Sequence, residues 1–133
     1  METAPAVGDE LPRVEMTSTL ETSVRYAGAS GDFNPLHYDP SFAADVSPTG
    51  DVIAHGMFSM GLASRAVTAW AGDPAAVLAV DVRFAKPWPV GDTATFGGSV
   101  SKVADGVATV RLDGTLEDGT VILKGTATVA VPD

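Results

Sequence analysis

Residues 56–70 read Gly56-Met57-Phe58-Ser59-Met60-Gly61-Leu62-Ala63-Ser64-Arg65-Ala66-Val67-Thr68-Ala69-Trp70. Met57, Phe58, Met60, Leu62, Ala63, Ala66, Val67, Ala69 and Trp70 fall on almost every face of the helical period, so the stretch predicts a helix buried all round. Gly72 and Pro74 end it. Beyond them apolar and polar side chains alternate. Leu78, Val80, Val82 and Phe84 face one way, and Ala79, Asp81, Arg83 and Ala85 the other. A further strand is predicted over 93–103, with Val100 and Val103 in it. Asp105-Gly106 and Asp118-Gly119 are hairpin signals, because these dipeptides accept the positive φ of tight turns. Between and after them, Ala108, Val110, Leu112 and Leu116 alternate with Thr109, Arg111, Asp113 and Thr115. Val121, Leu123, Ala127, Val129 and Val131 then alternate with Lys124, Thr126 and Thr128, offset at Gly125. The result is an antiparallel meander with one wet face. A strongly twisted sheet buries itself and a central helix most efficiently by curling round that helix, which gives an α+β class.

Upstream, residues 1–12 form a polar lead-in with Pro5 and Pro12, and 13–17 predict a short strand. Ser18 followed by Glu21 has the pattern of a capping box, and Leu20, Val24 and Ala27 follow at helical spacing. These place a helix over 19–29, ended by Gly28 and Gly31. Residues 30–55 carry few regular signals beyond a short helix at 40–45, and Pro48 and Gly50 keep the rest irregular. A long irregular stretch in a small domain is usually functional.

The 133 residues fit one domain, 1–133, with a core large enough to fold without staples. The absence of cysteine excludes disulfides, thiolate metal sites and thiol nucleophiles, and it fits a cytoplasmic protein. With only two histidines, a metal would need carboxylates to complete its shell, so neither metal nor cofactor is expected. The net charge of −9 would repel a phosphate backbone, which argues against nucleic acid. Met1–Glu10 lacks the basic and apolar regions of a signal peptide, and no apolar run approaches the ~20 residues that cross a bilayer.

The chemistry concentrates in Tyr26-Ala27-Gly28-Ala29-Ser30-Gly31-Asp32-Phe33-Asn34-Pro35-Leu36-His37-Tyr38-Asp39. Gly31 permits a positive φ before Asp32, Pro35 holds Asn34 out of the helical region, and the Asn34 side chain can lock the loop to its own backbone. A stiff loop thereby presents a carboxylate and an imidazole as an acid/base pair; the competing reading is a surface turn with an incidental histidine.

The string Gly31-Asp32-x-Asn34-Pro35-x-His37 resembles the signature of MaoC-like, (R)-specific enoyl-CoA hydratases. His55-Gly56-Met57 at the mouth of the buried helix resembles that family's second motif, and Val82-x-Phe84, Pro89 and Gly91-Asp92 resemble the strand and turn that follow. Tyr26-Ala27-Gly28 and Trp70-Ala71-Gly72-Asp73-Pro74 are most similar to the catalytic subunits of mycobacterial fatty-acid elongation dehydratases. The resemblance implies a hot-dog fold, a dimer made by edge-to-edge pairing of sheets, and a substrate tunnel near the subunit interface. It implies hydration of trans-2-enoyl thioesters, or dehydration of (3R)-hydroxyacyl thioesters, carried on CoA or on acyl carrier protein. Asp32 and His37 match the catalytic positions, Asn34 the loop-locking position, and Gly56 the residue whose backbone N–H meets the thioester carbonyl. One departure stands out: Gly61 occupies the place where some hydratases carry a serine, so Ser59 or Ser64 substitutes for it or the role is absent.

Phe33, Tyr38, Phe42 and Phe58 are candidates to line the acyl pocket, although Phe58 suits core packing better. His55 is read as structural, because the other catalytic parts are already supplied. Lys86, Arg83, Lys102 and Lys124 are read as solvated charges rather than ligands of the CoA phosphates. Two alternatives remain open. One is a hot-dog thioesterase, which also needs a water-activating carboxylate but usually lacks this loop. The other is a non-catalytic acyl-binding subunit of a heterodimer, although such partners tend to lose the Asp or the His.

Overall fold

The computed structural model describes residues 3–132. The elements run β1 (Val14–Thr17), α1 (Leu20–Ser30), α2 (Pro40–Val46), α3 (Gly56–Ala71), β2 (Val77–Phe84), β3 (Thr93–Ala104), β4 (Val107–Leu116) and β5 (Val121–Ala130). The strands form one antiparallel sheet in the order β1-β3-β4-β5-β2. Helix α3 touches all five strands. Five strands at about 4.8 Å spacing span roughly 19 Å, about twice the diameter of a helix, so a flat sheet would leave its edge strands out of reach. The sheet curls instead, in the hot-dog arrangement.

Two local features make the curl possible. Register shifts at Val77/Ala79, Val100/Lys102 and Gly114/Thr115 insert bulges that raise the local twist. At Gly125 the backbone of β2 comes so close that a Cβ would meet the Asp81 carbonyl at 2.1 Å, so only glycine fits. Phe96, Val100, Val110, Leu123 and Val129 from the sheet close on Leu62, Ala63, Ala66 and Val67 of α3, with Trp88 at one end. Both central residues of the Asp105-Gly106 turn have positive φ, 55° and 73°, as the sequence predicts for this hairpin.

Four local expectations need correcting. Helix α3 is not buried all round: Ser59, Leu62, Ala63, Ala66, Val67 and Ala71 form its buried face, while Met57 is 58% exposed, and Gly61, Arg65 and Ala69 share that outer stripe. Leu78 does not share a face with Val80 and Val82, because the bulge at Val77/Ala79 turns it outward. Ser18 does not cap α1 either. It is buried, and its hydroxyl donates to the Pro89 carbonyl at 2.9 Å, while Thr19 takes the N-cap and accepts from Thr22 N–H. Gly31 alone closes α1, with φ 78°, and Gly28 lies within the helix.

Candidate active site

The loop after α1 is shaped locally by its own backbone and short side chains. Gly31 N–H donates to the Ala27 carbonyl in the left-handed cap, and the Ser30 hydroxyl accepts from Asp32 N–H. Asp32 Oδ1 accepts from Asn34 N–H at 3.2 Å, which leaves Oδ2 free, and Asn34 Oδ1 accepts from Leu36 N–H at 3.0 Å. Asn34 sits at ψ 121° ahead of Pro35, and Pro35–His37 then make one 3-10 turn that swings His37 back towards Asp32. Gly31, Asn34 and Pro35 thus sit where the loop needs them.

His37 Nε2 lies 3.7 Å from Asp32 Oδ2. The other ring nitrogen, Nδ1, is 2.8 Å from the Ile53 carbonyl. A carbonyl only accepts, so in the neutral ring Nδ1 carries the proton and Nε2 presents its lone pair. A lone pair and a carboxylate oxygen therefore converge on one spot, too far apart for a direct hydrogen bond. That spot suits a water molecule giving a proton to either group.

Helix α3 starts beside them. Its N-cap residue, His55, makes no side-chain cap, so the first-turn amides have no side-chain acceptor. Gly56 lines a cleft of about 340 Å³ together with His37, Ile53, Ser59, Phe84 and Trp88. A Cβ on Gly56 would stand 3.0 Å from the Phe84 ring, so the glycine keeps the amide uncrowded. Polar donors at a helix N-terminus stabilise negative charge, by about 0.3–1 kcal/mol at exposed sites and up to ~2 kcal/mol where partly buried.

The structure brings Asp32, His37 and Gly56 to one place. It puts the aromatic candidates elsewhere: Phe33 and Phe42 are exposed at 60% and 41%, the Tyr38 hydroxyl donates to the Phe33 carbonyl, and Phe58 packs against Tyr26 and Trp88. None of the four is among the described residues that line the cleft; its apolar wall is Phe84, Trp88 and Ile122. Trp88 carried a signal in the Pro87-Trp88-Pro89 segment after β2, but its approach to residues 52–54 is a long-range pairing that no local pattern shows. Of the two serines, Ser59 reaches the cleft, whereas the Ser64 hydroxyl donates back to the Met60 carbonyl. Lys86 borders the cleft; Arg83, Lys102 and Lys124 are exposed and outside it.

His55 is 2% exposed and stacks on His37, with centroids 3.9 Å apart and planes 24° from parallel. Asp32, His37 and His55 bring possible ligand atoms within 4.8 Å of one another. Stacked rings hold their lone pairs in separate, nearly parallel planes, whereas a metal about 2.0–2.1 Å from both would have to lie in both planes at once. The arrangement suits proton transfer better than ligation.

A family model described as MaoC like domain matches residues 2–121. This chain belongs to the MaoC-like family. The 3-oxo-4,17-pregnadiene-20-carboxyl-CoA hydratase beta subunit of Mycobacterium tuberculosis is 34% identical over 108 residues, covering 81% of this chain and 83% of that protein. The (R)-hydratase from A. caviae involved in PHA biosynthesis superposes with a TM-score of 0.87 at 28% identity, over 96% of this chain and 98% of its own. A chain of the ChsH1-ChsH2 complex from Mycobacterium tuberculosis superposes with a TM-score of 0.83 at 29% identity, over the same 96% and 98%. The hot-dog fold of this MaoC-like chain is the fold of those structures.

Proposed function

We propose that this MaoC-like chain is a hydro-lyase that adds water to trans-2-enoyl thioesters, giving (3R)-hydroxyacyl thioesters, and runs the reverse dehydration, with Asp32 and His37 as its acid/base pair. One observation carries the reading: two proton acceptors, His37 Nε2 and Asp32 Oδ2, meet 3.7 Å apart beside a cleft that ends on an uncapped helix N-terminus. A water between them loses a proton to the pair while its oxygen bonds to the β-carbon. The π-electron pair moves to the α-carbon and onto the thioester oxygen, where the Gly56 N–H stabilises it. A proton from the pair then reaches the α-carbon, so one H₂O is added and the enzyme is regenerated. Removing a single donor of this kind costs ~10²–10³ in kcat. Ser59 lines the same cleft and is the serine that can stand in for the one Gly61 replaces. The relatives named as hydratases support the reaction class, and the (R)-hydratase from A. caviae supports the stereochemistry. The test is a hydration assay on trans-2-enoyl-CoAs of short, medium and long chain, with chiral analysis of the product. (R)-3-hydroxyacyl product is expected, and release of free thiol without hydration identifies a thioesterase instead.

The chain acts as a dimer in this reading, homodimeric or paired with a related hot-dog subunit. β2 is an edge strand, and Leu78 and Phe84 on it are exposed at 57% and 48%. An unpaired edge with apolar side chains is a template for pairing. The heteromeric option draws support from the relative named as a beta subunit and from the ChsH1-ChsH2 complex. No helix among the described residues is long and apolar enough to cross a membrane, and the cytoplasm is the compartment this reading takes.

A further inference from the structure

His55 is 2% exposed, yet one of its two ring nitrogens has no partner. Its Nε2 lies 3.1 Å from the Asp32 backbone carbonyl, an atom that only accepts, so Nε2 carries the proton. Nδ1 is then a bare lone pair, buried and without a donor. An unpaired buried acceptor costs about 1–3 kcal/mol, and an apolar residue of similar size would avoid that cost while filling the space. Packing alone therefore does not account for a histidine here. The contacts of the ring do: it spans the catalytic loop, bonded to the backbone of Asp32 at its edge and stacked on the ring of His37 at its face. Tyr26 of α1 closes the far side, 4.8 Å between centroids.

We propose that His55 is a positioning residue of the reaction, holding Asp32 through its backbone carbonyl and His37 through its ring so that the two catalytic groups keep one spacing while protons move. Both anchors come from a residue that is also the N-cap of α3, so the same side chain registers the acid/base pair against the Gly56 amide. The ring must stay uncharged to do this, because a second proton on Nδ1 would be buried without an acceptor and would face any positive charge that His37 gains. Burial holds the His55 pKa below its ordinary value; the Asp32 carbonyl and carboxylate pull it up, and His37 pushes it further down. Among the described residues, the ionisable side chains against the ring are those of Asp32, His37 and Tyr26.

The inference rests on the hydratase reading only for its kinetic arm. His55→Gln keeps an N–H donor for the Asp32 carbonyl but removes the stacked ring; His55→Phe keeps a ring and removes the donor. Each is expected to lose about 10- to 100-fold in kcat with little change in KM, as small misplacement of catalytic groups does. A role in packing alone would lower the melting temperature and leave kcat per folded site where it was, and that result overturns the proposal. The second arm needs no substrate. The chain has two histidines, so nitrogen NMR resolves both rings in the wild type. A His55 ring protonated on Nε2 alone, taking up a second proton only below the ordinary histidine range, is expected; a His55 that takes up a second proton within or above that range overturns the inference. If the wild type hydrates no enoyl thioester while the NMR result holds, the hydratase reading fails and the positioning geometry stands.

Discussion

His55 ties the stability of the protein to pH as well as the loop to the helix. Its folded pKa is lowered, chiefly by burial, from the ordinary 6.5. A lowered folded value means that the unfolded chain binds the proton first, so this contribution to stability is fully present above the ordinary value and is lost as pH falls through the folded one. Denaturant unfolding of wild type and His55→Gln between about pH 7.5 and pH 5.5 isolates it, since the carboxylates are common to both. The wild type should lose stability faster than the variant as pH falls; parallel curves would show that the ring titrates alike in both states. Gly56 gives a second test. In Gly56→Ala the methyl presses on the Phe84 ring, which is 48% exposed and can yield. Thermal melts should change little while kcat/KM falls on the order of 10- to 100-fold; an unchanged kcat/KM would remove Gly56 from the site. The loop of Asp32, Asn34 and Pro35 was legible in the sequence because its hydrogen bonds run between neighbours, and His37 was legible by its spacing from Asp32, not by its ring's bond to the Ile53 carbonyl 16 residues on. His55 was legible only as a residue at the helix mouth, because its partner carbonyl lies 23 residues away.

At the scale of elements, alternation and hairpin dipeptides placed the strands well, because in an antiparallel sheet one face is wet and side-chain direction follows sequence parity. They failed where a bulge breaks parity, as at Leu78, which the shift between Val77 and Ala79 turns to the outside. The start of α1 was misread for a related reason: Ser18 fits a capping box locally, but its hydroxyl is claimed by the carbonyl of Pro89, 71 residues along the chain. The two side chains should therefore behave differently. Thr19→Ala removes a cap and is expected to cost ~1 kcal/mol. Ser18→Ala removes one of two donors to the Pro89 carbonyl, which keeps the Asp92 N–H, and should cost about 0.5–1.5 kcal/mol without fraying the start of α1. Urea unfolding and helical circular dichroism of both variants check this; a frayed α1 in Ser18→Ala but not in Thr19→Ala would contradict the hydrogen bonding described here. The all-round apolar pattern of α3 misled because helical periodicity does not say what covers a face. Met57, Gly61, Arg65 and Ala69 are exposed on the single chain.

The whole molecule presents an open β2 edge with Leu78 and Phe84 on it, and a dimer formed there predicts a solution mass about twice the 13.6 kDa of the chain, or its equivalent with a related partner. Leu78→Glu should weaken that association in light scattering, whereas a monodisperse and fully active monomer would contradict it. The fold class was legible because one apolar helix followed by a meander admits few packings; the partner was not, because an edge strand looks the same in sequence whichever copy pairs with it. The proposed reaction rests on the single spot between His37 Nε2 and Asp32 Oδ2. The measurement that bears on it most directly is kcat/KM for enoyl-thioester hydration by wild type, Asp32→Asn, His37→Gln and the double variant, each shown to be folded. Groups serving one water act as a unit, so each single change should cost ~10²–10⁴ and the double little more than the worse single. Losses that multiply in the double variant, or activity that survives either single change, would contradict the account.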